Sequence, residues 1–445
     1  MRSSLIIASF ATILSSCAAQ KVVGSAMGFA KGTTGGGSAT PAVPKDIAQL
    51  KTWLSDSVAR VIVIDKEFNF IGSEGKVSEN GCRPASNKWQ VFTSVSWINS
   101  EDESDCLLSL ASSGGIQADF CSPGNGGQDA INGANWCDGQ PAVKVSYDKA
   151  GVSGLTVGSN KSIIGVGAKG VIRGKGLRMQ SGVKNVIIQN IHITELNPQY
   201  IWGGDAIQTF GADLIWIDHV KISLIGRQMF AASSGGSTSG RITISNSEFD
   251  GSTAWSASCN NKHYWTILLN GSKDSVTLFG NYIHHTSGRS PKVAGKATIV
   301  HAVNNSSLRS IIACNFLLGQ LFRLLNHLGT PGLCSEGNAD FEICSIVFHE
   351  DVETFDVTAP SQVVAEGNVF YRVKTSLLGK TGKLYTLPGS ACKANLGHDC
   401  VANAVTESGA FSGSDNILAA FKDYPAFAVG KATTNIRLTA GVGKI

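Results

Sequence analysis

Charged side chains are scarce in this sequence: Asp, Glu, Lys and Arg make up 16% of its 445 residues, against roughly a quarter in ordinary proteins. That scarcity excludes a disordered chain and a coiled coil. Only 11 prolines are present, and the glycines follow no G-X-Y period, which excludes collagen. The formal net charge is +4 with no Lys/Arg run, too mild a balance to mark a nucleic-acid partner. After the N-terminus no stretch approaches 18 consecutive apolar residues, so no membrane-spanning helix is expected. No His or Cys pair has zinc-site spacing, and Gly-x-Ser-x-Gly, P-loop and H-E-x-x-H motifs are missing. A metal site is therefore not expected. His284 and His285, adjacent on a strand, should point to opposite faces.

What the chain has in excess is glycine, 51 residues, about 11% against roughly 7% on average. With 42% hydrophobic residues, this points to many tight turns between buried strands. Length alone suggests about three domains, but single all-β architectures exceed the usual domain size. Residues 1–19 carry one early cation, Arg2, an apolar stretch from Leu5 to Leu14 and small residues at Ala18 and Ala19. They read as a secretory signal peptide. Of the 11 cysteines, Cys17 would leave with it, and the rest should mostly pair in an oxidising compartment. Sequons at Asn160, Asn270, Asn304 and Asn305 are compatible with secretion and also arise by chance.

From about residue 150 short apolar strands recur, each closed by a small or amide residue and a turn. Aligning Ile163, Val186, Ile215, Ile242, Val276 and Val300 gives spacings of 23, 29, 27, 34 and 24 residues. Irregular repeats of strands predict an all-β parallel solenoid whose inward residues stack from rung to rung. Asn190, Asn246, Asn281 and Asn304 lie near the strand ends. They read equally well as an amide ladder or as turn formers that tolerate left-handed geometry. A cap over 20–150, a coil over 150–375 and a tail with a short helix near 415–422 follow.

The densest group of unusual residues is YIWGGDAI at 200–207, WIDHV at 216–220, IGRQ at 225–228, CNNKHYW at 259–265 and SGRSPK at 287–292. On successive rungs these can meet on one face. They offer Asp205 and Asp218 as carboxylates, Arg227, Arg289 and Lys292 as cations, His219 and His263 as imidazoles, and Trp202, Tyr264 and Trp265 as flat apolar surfaces. Aromatics beside cations suit a sugar acid, with rings against the pyranose and guanidinium groups on carboxyl or ester oxygens. Each also has a plainer reading: Asp205 as a turn residue after Gly-Gly, His219 as a structural histidine, Arg289 as a solvated turn cation.

The run GNYIHHTSGRSPKV at 280–293 with HAVNN at 301–305, together with WGGDAI and WIDHV, resembles the fungal pectin lyases of polysaccharide lyase family 1. The likeness extends to VVGSAMGFAKGTTGGGSATP at 22–41, ARVIVI at 59–64, most of 121–305, and VAEGNVF at 364–370. It implies a right-handed parallel β-helix that cleaves methyl-esterified polygalacturonan by β-elimination. By resemblance Arg289 is the base, with Asp205 and Arg227 completing the catalytic cluster. Lys292, Trp202, Trp265, Tyr264, His263 and Trp136 would contact the polymer. Arginine is an awkward base because its pKa lies above 12, so the step needs a desolvated site beside a second cation, Arg227. Arg227 stands where a calcium-dependent pectate lyase would be expected to carry an acidic ligand, so no cofactor is implied. The chain should act as a secreted monomer on pectin. The alternatives are a calcium-dependent pectate lyase and an inactive carbohydrate-binding solenoid.

The resemblance also implies the disulfides Cys82–Cys137, Cys121–Cys259 and Cys392–Cys400. Cys106, Cys314, Cys334 and Cys344 have no counterpart, and all four fall in two stretches, 89–120 and 306–363, that interrupt the pattern. Within the second, 321–329 reads as helix, and ADFEI at 339–343 resembles a further rung. The stretches are either genuine insertions in one lyase domain, 20–445, or translated intron sequence, which the unmatched cysteines favour. Neither alternates like a strand, so both should leave the coil as loops.

Overall fold

The computed structural model describes residues 20–87, 121–180, 182–232, 240–308, 353–433 and 435–445. The expected signal segment, 1–19, and the stretch 89–120 lie outside the described residues. Among those described, three parallel sheets of ten, eight and nine strands carry the fold, with a four-stranded sheet beside them. One turn of the coil runs through Lys184–Gln189, His192–Leu196 and Ile207–Thr209, one strand in each sheet, before Asp213–Asp218 opens the next. The chain is an all-β parallel β-helix, coiled in the right-handed sense that parallel strand connections take.

The repeat is carried by register. Val186, Ile215, Ile242, Val276, Val300 and Val363 are successive neighbours in the ten-stranded sheet. Two residues on, Ile188, Ile217, Ile244, Leu278, Ala302 and Ala365 form a second inward column, and both columns are buried. Each fully buried Val, Ile or Leu is worth about 1.5–3 kcal/mol, and only stacking supplies the partners. Ile163 pairs with Ile188 and not with Val186. The slip of two residues keeps the same face inward, which is why the alignment tolerated it.

The coil is longer than the repeats at 150–375 indicated. Arg60–Ile64 pairs with Lys161–Gly165, and Ala404–Thr406 pairs with Val369–Tyr371, so strands from both the expected cap and the expected tail belong to the ladder. Segment 22–36 crosses the outer face of the ten-stranded sheet, where Ala26 and Ala30 cover Ile187 and Trp216. The backbone of Phe29 and Ala30 donates to Thr277 and Thr243 Oγ1. Gly28 has φ +57°, and a Cβ there would stand 2.2 Å from Thr277 Oγ1, so no other residue fits this crossing. In the tail, the helix near 415–422 is the single 3-10 turn Leu418–Phe421.

Val300 and Val363 are adjacent in register, so no rung of the ten-stranded sheet is inserted between them. Ser306–Leu308 and Glu353–Val357 are ladder strands, which confines the interruption to 309–352. The expected helix at 321–329 and the fragment at 339–343 lie outside the described residues.

Both readings of the asparagines hold, for different residues. Asn190, Asn246 and Asn304 adopt φ of 58°, 46° and 50° and are left-handed turn formers. The amide ladder runs instead through Asn281, Asn305, Asn368 and Asn403, the Oδ1 of each of the last three accepting from the backbone and side-chain nitrogens of the asparagine before it. Asn304 and Asn305 are buried, and their amides are engaged, so neither sequon can carry a glycan. Replacing Asn305 with Ala would leave the neighbouring amide groups unpaired and should cost about 3 kcal/mol. The shift of the denaturation midpoint would measure it.

Candidate active site

Four neighbouring positions of the coil build the face. Asp205 follows Gly204 just before the strand Ile207–Thr209, Arg227 lies before Phe230–Ala232, and Tyr264 and Trp265 precede Ile267–Leu269. Arg289 precedes Lys292–Val293. All four strands are successive members of the eight-stranded sheet, so residues up to 84 positions apart in sequence meet at its edge.

Arg289 is held with φ 52° and Trp202 with φ 69°, sparsely populated backbone for side chains of this size. The Arg289 guanidinium lies 4.6 Å from the Trp265 ring centroid and 5.8 Å from that of Tyr264, and its Nε is buried without a hydrogen-bond partner. Burial lowers its pKa below the ordinary guanidinium value, and the Arg227 charge adds to this against the opposing influence of Tyr264. The effect expected of a second cation is therefore present, but desolvation outranks it.

The Arg227 guanidinium stacks 3.9 Å from the Trp202 centroid and faces Asp205 Oδ2 at 3.5 Å. Asp205 is no solvated turn residue: it is 5% exposed, accepts from the Gln228 backbone at 2.8 Å through Oδ1 and from Gln208 Nε2 at 2.6 Å through Oδ2. Lys292 Nζ meets Asp356 Oδ2 at 2.5 Å, its register neighbour on the next rung. The indole N–H groups of Trp202 and Trp265 are buried and unpartnered, like Arg289 Nε. Trp136 is 38% exposed on the loop closed by Cys82–Cys137, where Gly133 abuts Trp202.

One expected contact is corrected. His263 does not face the cleft: it is 2% exposed, and its Nε2 donates to the carbonyls of Arg227 at 2.7 Å and Trp265 at 3.1 Å. Burial pulls its pKa down to about 4, so a neutral ring positions the two residues from beneath. Asp218 and His219 bond each other at 2.7 Å in a buried network with Ser245, Gln189 and Asn246 at the end of the ten-stranded sheet, the structural role that alternation suggested for His219. The disulfides Cys82–Cys137, Cys121–Cys259 and Cys392–Cys400 are present, and the first two tie the loops beside the face.

No family model matches the chain. Named relatives do. The sequence is 45% identical over 441 residues to "Probable pectin lyase F" of Aspergillus niger, covering 96% of this chain and 76% of that one. It is 42% identical over 458 residues to pectin lyase B of Emericella nidulans, covering both chains fully, and 44% identical over 453 residues to a pectin lyase of Colletotrichum gloeosporioides, covering 99% and 98%. The chain belongs to the pectin lyases of polysaccharide lyase family 1. Among solved structures, the fold is similar to a pectate lyase of Bacillus sp. N165 in complex with trigalacturonate, with a TM-score of 0.50 at 15% identity over 94% of this chain and 99% of that one. A pectate lyase of Acidovorax avenae subsp. citrulli has the same score at 14% identity over 99% of each chain.

For a pectin lyase, three supporting residues were missed by sequence reasoning. Gln208 and the backbone of Gln228 hold Asp205, and Asp356 holds Lys292. Gln208 lies three residues after Asp205, a spacing that could have drawn notice. Asp356 lies inside the stretch set aside as an interruption, so no signal pointed to it.

Proposed function

We propose that this chain is a secreted pectin lyase that cleaves methyl-esterified polygalacturonan within the chain by β-elimination and acts as a monomer. The supporting observation is the grouping of three buried, unpartnered donors, Arg289 Nε and the indole N–H groups of Trp202 and Trp265, on a face of stacked aromatics and cations. Unpaired buried donors cost free energy unless a ligand satisfies them. A sugar ring bearing ester and hydroxyl oxygens supplies both the acceptors and the apolar surface. No helix among the described residues is long and apolar enough to cross a membrane.

In the reaction, Arg289 in its neutral form accepts the C5 proton, and the C5–H electrons pass into the C6 carbonyl as an enolate. The Arg227 guanidinium, oriented by Asp205, stabilises that developing charge. The electrons then form the C4–C5 double bond, and O4 departs with a proton returned from the face. An ester needs less compensation than a free carboxylate. The face's two carboxylates, Asp205 and Asp356, are already engaged by donors, which suits the ester over a calcium-bridged acid. Product absorbance with esterified pectin should therefore appear at an undiminished rate in the presence of a calcium chelator. Activity confined to de-esterified substrate with calcium would establish a pectate lyase, and no product on any pectin would establish a binding protein.

A further inference from the structure

On the nine-stranded sheet, Asp250 ends the strand Glu248–Asp250 and His284 ends its neighbour Tyr282–His284, the two being register partners. His285 follows with φ 54°, and this left-handed turn overrides the strand rule that would send its ring to the opposite face. The two rings meet instead, with Nδ1 atoms 2.7 Å apart. Nitrogens so close are held by one proton between them, since two protons would clash and none would leave two lone pairs opposed. Asp250 Oδ1 lies 3.8 Å from His284 Nδ1 and accepts from the Ser252 backbone. One ligand atom from each of the three residues lies within 4.8 Å of the others.

The surroundings favour a cation. His284 Nε2 lies 3.2 Å from Glu248 Oε1, so the carboxylate takes the Nε2 hydrogen and turns Nδ1 inward, the outer-shell arrangement that orients metal-binding imidazoles. Lys221 is shared between Glu248 at 2.8 Å and Asp250 at 3.0 Å, one cation for two carboxylates. Among the described residues the other group of this kind, His301, Glu366 and His398, differs. There both Nε2 atoms point at Glu366 Oε1 and must carry hydrogens to bond it.

We propose that Asp250, His284 and His285 bind a divalent transition-metal ion of the zinc type, which replaces the proton shared by the two Nδ1 atoms. Two imidazoles and one carboxylate suit zinc, cobalt or nickel and not calcium, which takes oxygen ligands. That proton passes to His285 Nε2, so two neutral imidazoles hold the ion and no net proton is released. The site is structural, because it lies where the loop carrying Arg289 departs: His263 donates its backbone N–H to the His285 carbonyl at 3.1 Å.

The test is calorimetric titration of the chelator-stripped full-length protein with zinc chloride in two buffers of different ionisation enthalpy, with the visible spectrum of the cobalt(II) form as a second readout. One equivalent is expected, with no net proton released and a raised melting temperature. His285→Asn, which suits the positive φ, should weaken binding on the order of 100-fold, while His398→Asn should leave it unchanged. Asp250→Asn provides the same loss should His285→Asn not fold. Absence of saturable zinc binding, binding undiminished in the site variants, or loss of binding in His398→Asn would each overturn the proposal.

Discussion

Arg289→Lys should lower turnover on methylated pectin on the order of 10²-fold or more while leaving KM nearly unchanged. Lysine keeps the positive charge, so a residue acting only as a cation would survive the change. Proton abstraction asks for more. The guanidine is set between Tyr264 and Trp265 with its Nε facing no protein partner, and a flexible ammonium cannot reproduce that planar placement. Initial rates of unsaturated-product absorbance against substrate concentration separate the two parameters. Near-normal turnover in the variant would refute the base role and transfer it to Lys292. His263 is not a candidate, since its ring lies beneath the face and donates to two carbonyls.

Arg227→Ala should remove about 2–4 kcal/mol of transition-state stabilisation, as the loss of one strong oxyanion donor does, a fall of roughly 30- to 10³-fold in kcat/KM. The substitution strips the cation from the Trp202 ring and from Asp205, so part of any loss could arise from local rearrangement. A melting temperature close to the parent's, measured on the same preparation, would assign the loss to the reaction. Added calcium should restore nothing, because an alanine methyl group supplies no ligand. An unchanged kcat/KM would remove Arg227 from the chemistry.

How far the sequence could be read depended on what kind of interaction decided each position. Inward columns such as Val186, Ile215 and Ile242 follow from alternation, and a two-residue slip at Ile163 left their face unchanged. Arg60–Ile64 was assigned to a cap because its register partner lies about a hundred residues later, and no local pattern reports such a pairing. Asn305 was passed over for Asn304, although the two differ by one position. Backbone handedness sends one into the turn and the other into the ladder, and that is not written in residue type. His285 misled for the same reason: a single positive φ reversed the face that strand periodicity assigned. The members of the site were readable as residue types, but the burial of His263 and the pairing of Lys292 with Asp356 required the rungs to be stacked.

Thr277 has a consequence beyond its own rung. Its hydroxyl oxygen accepts from the Phe29 backbone and bonds the Tyr424 hydroxyl at 3.1 Å, while the Phe29 and Tyr424 rings meet edge to face at 4.7 Å. Two segments far apart in the sequence, around Phe29 and Tyr424, are thus fastened to one another over a rung that lies between them in the chain. An open stack of repeats can fray inward from either end, one interface at a time. Here the strap and the tail share one anchor in the body of the stack, so loosening either weakens the hold of the other. The strap also precedes in sequence the rung it docks on, so it has no place to dock until the rung bearing Thr277 has been synthesised.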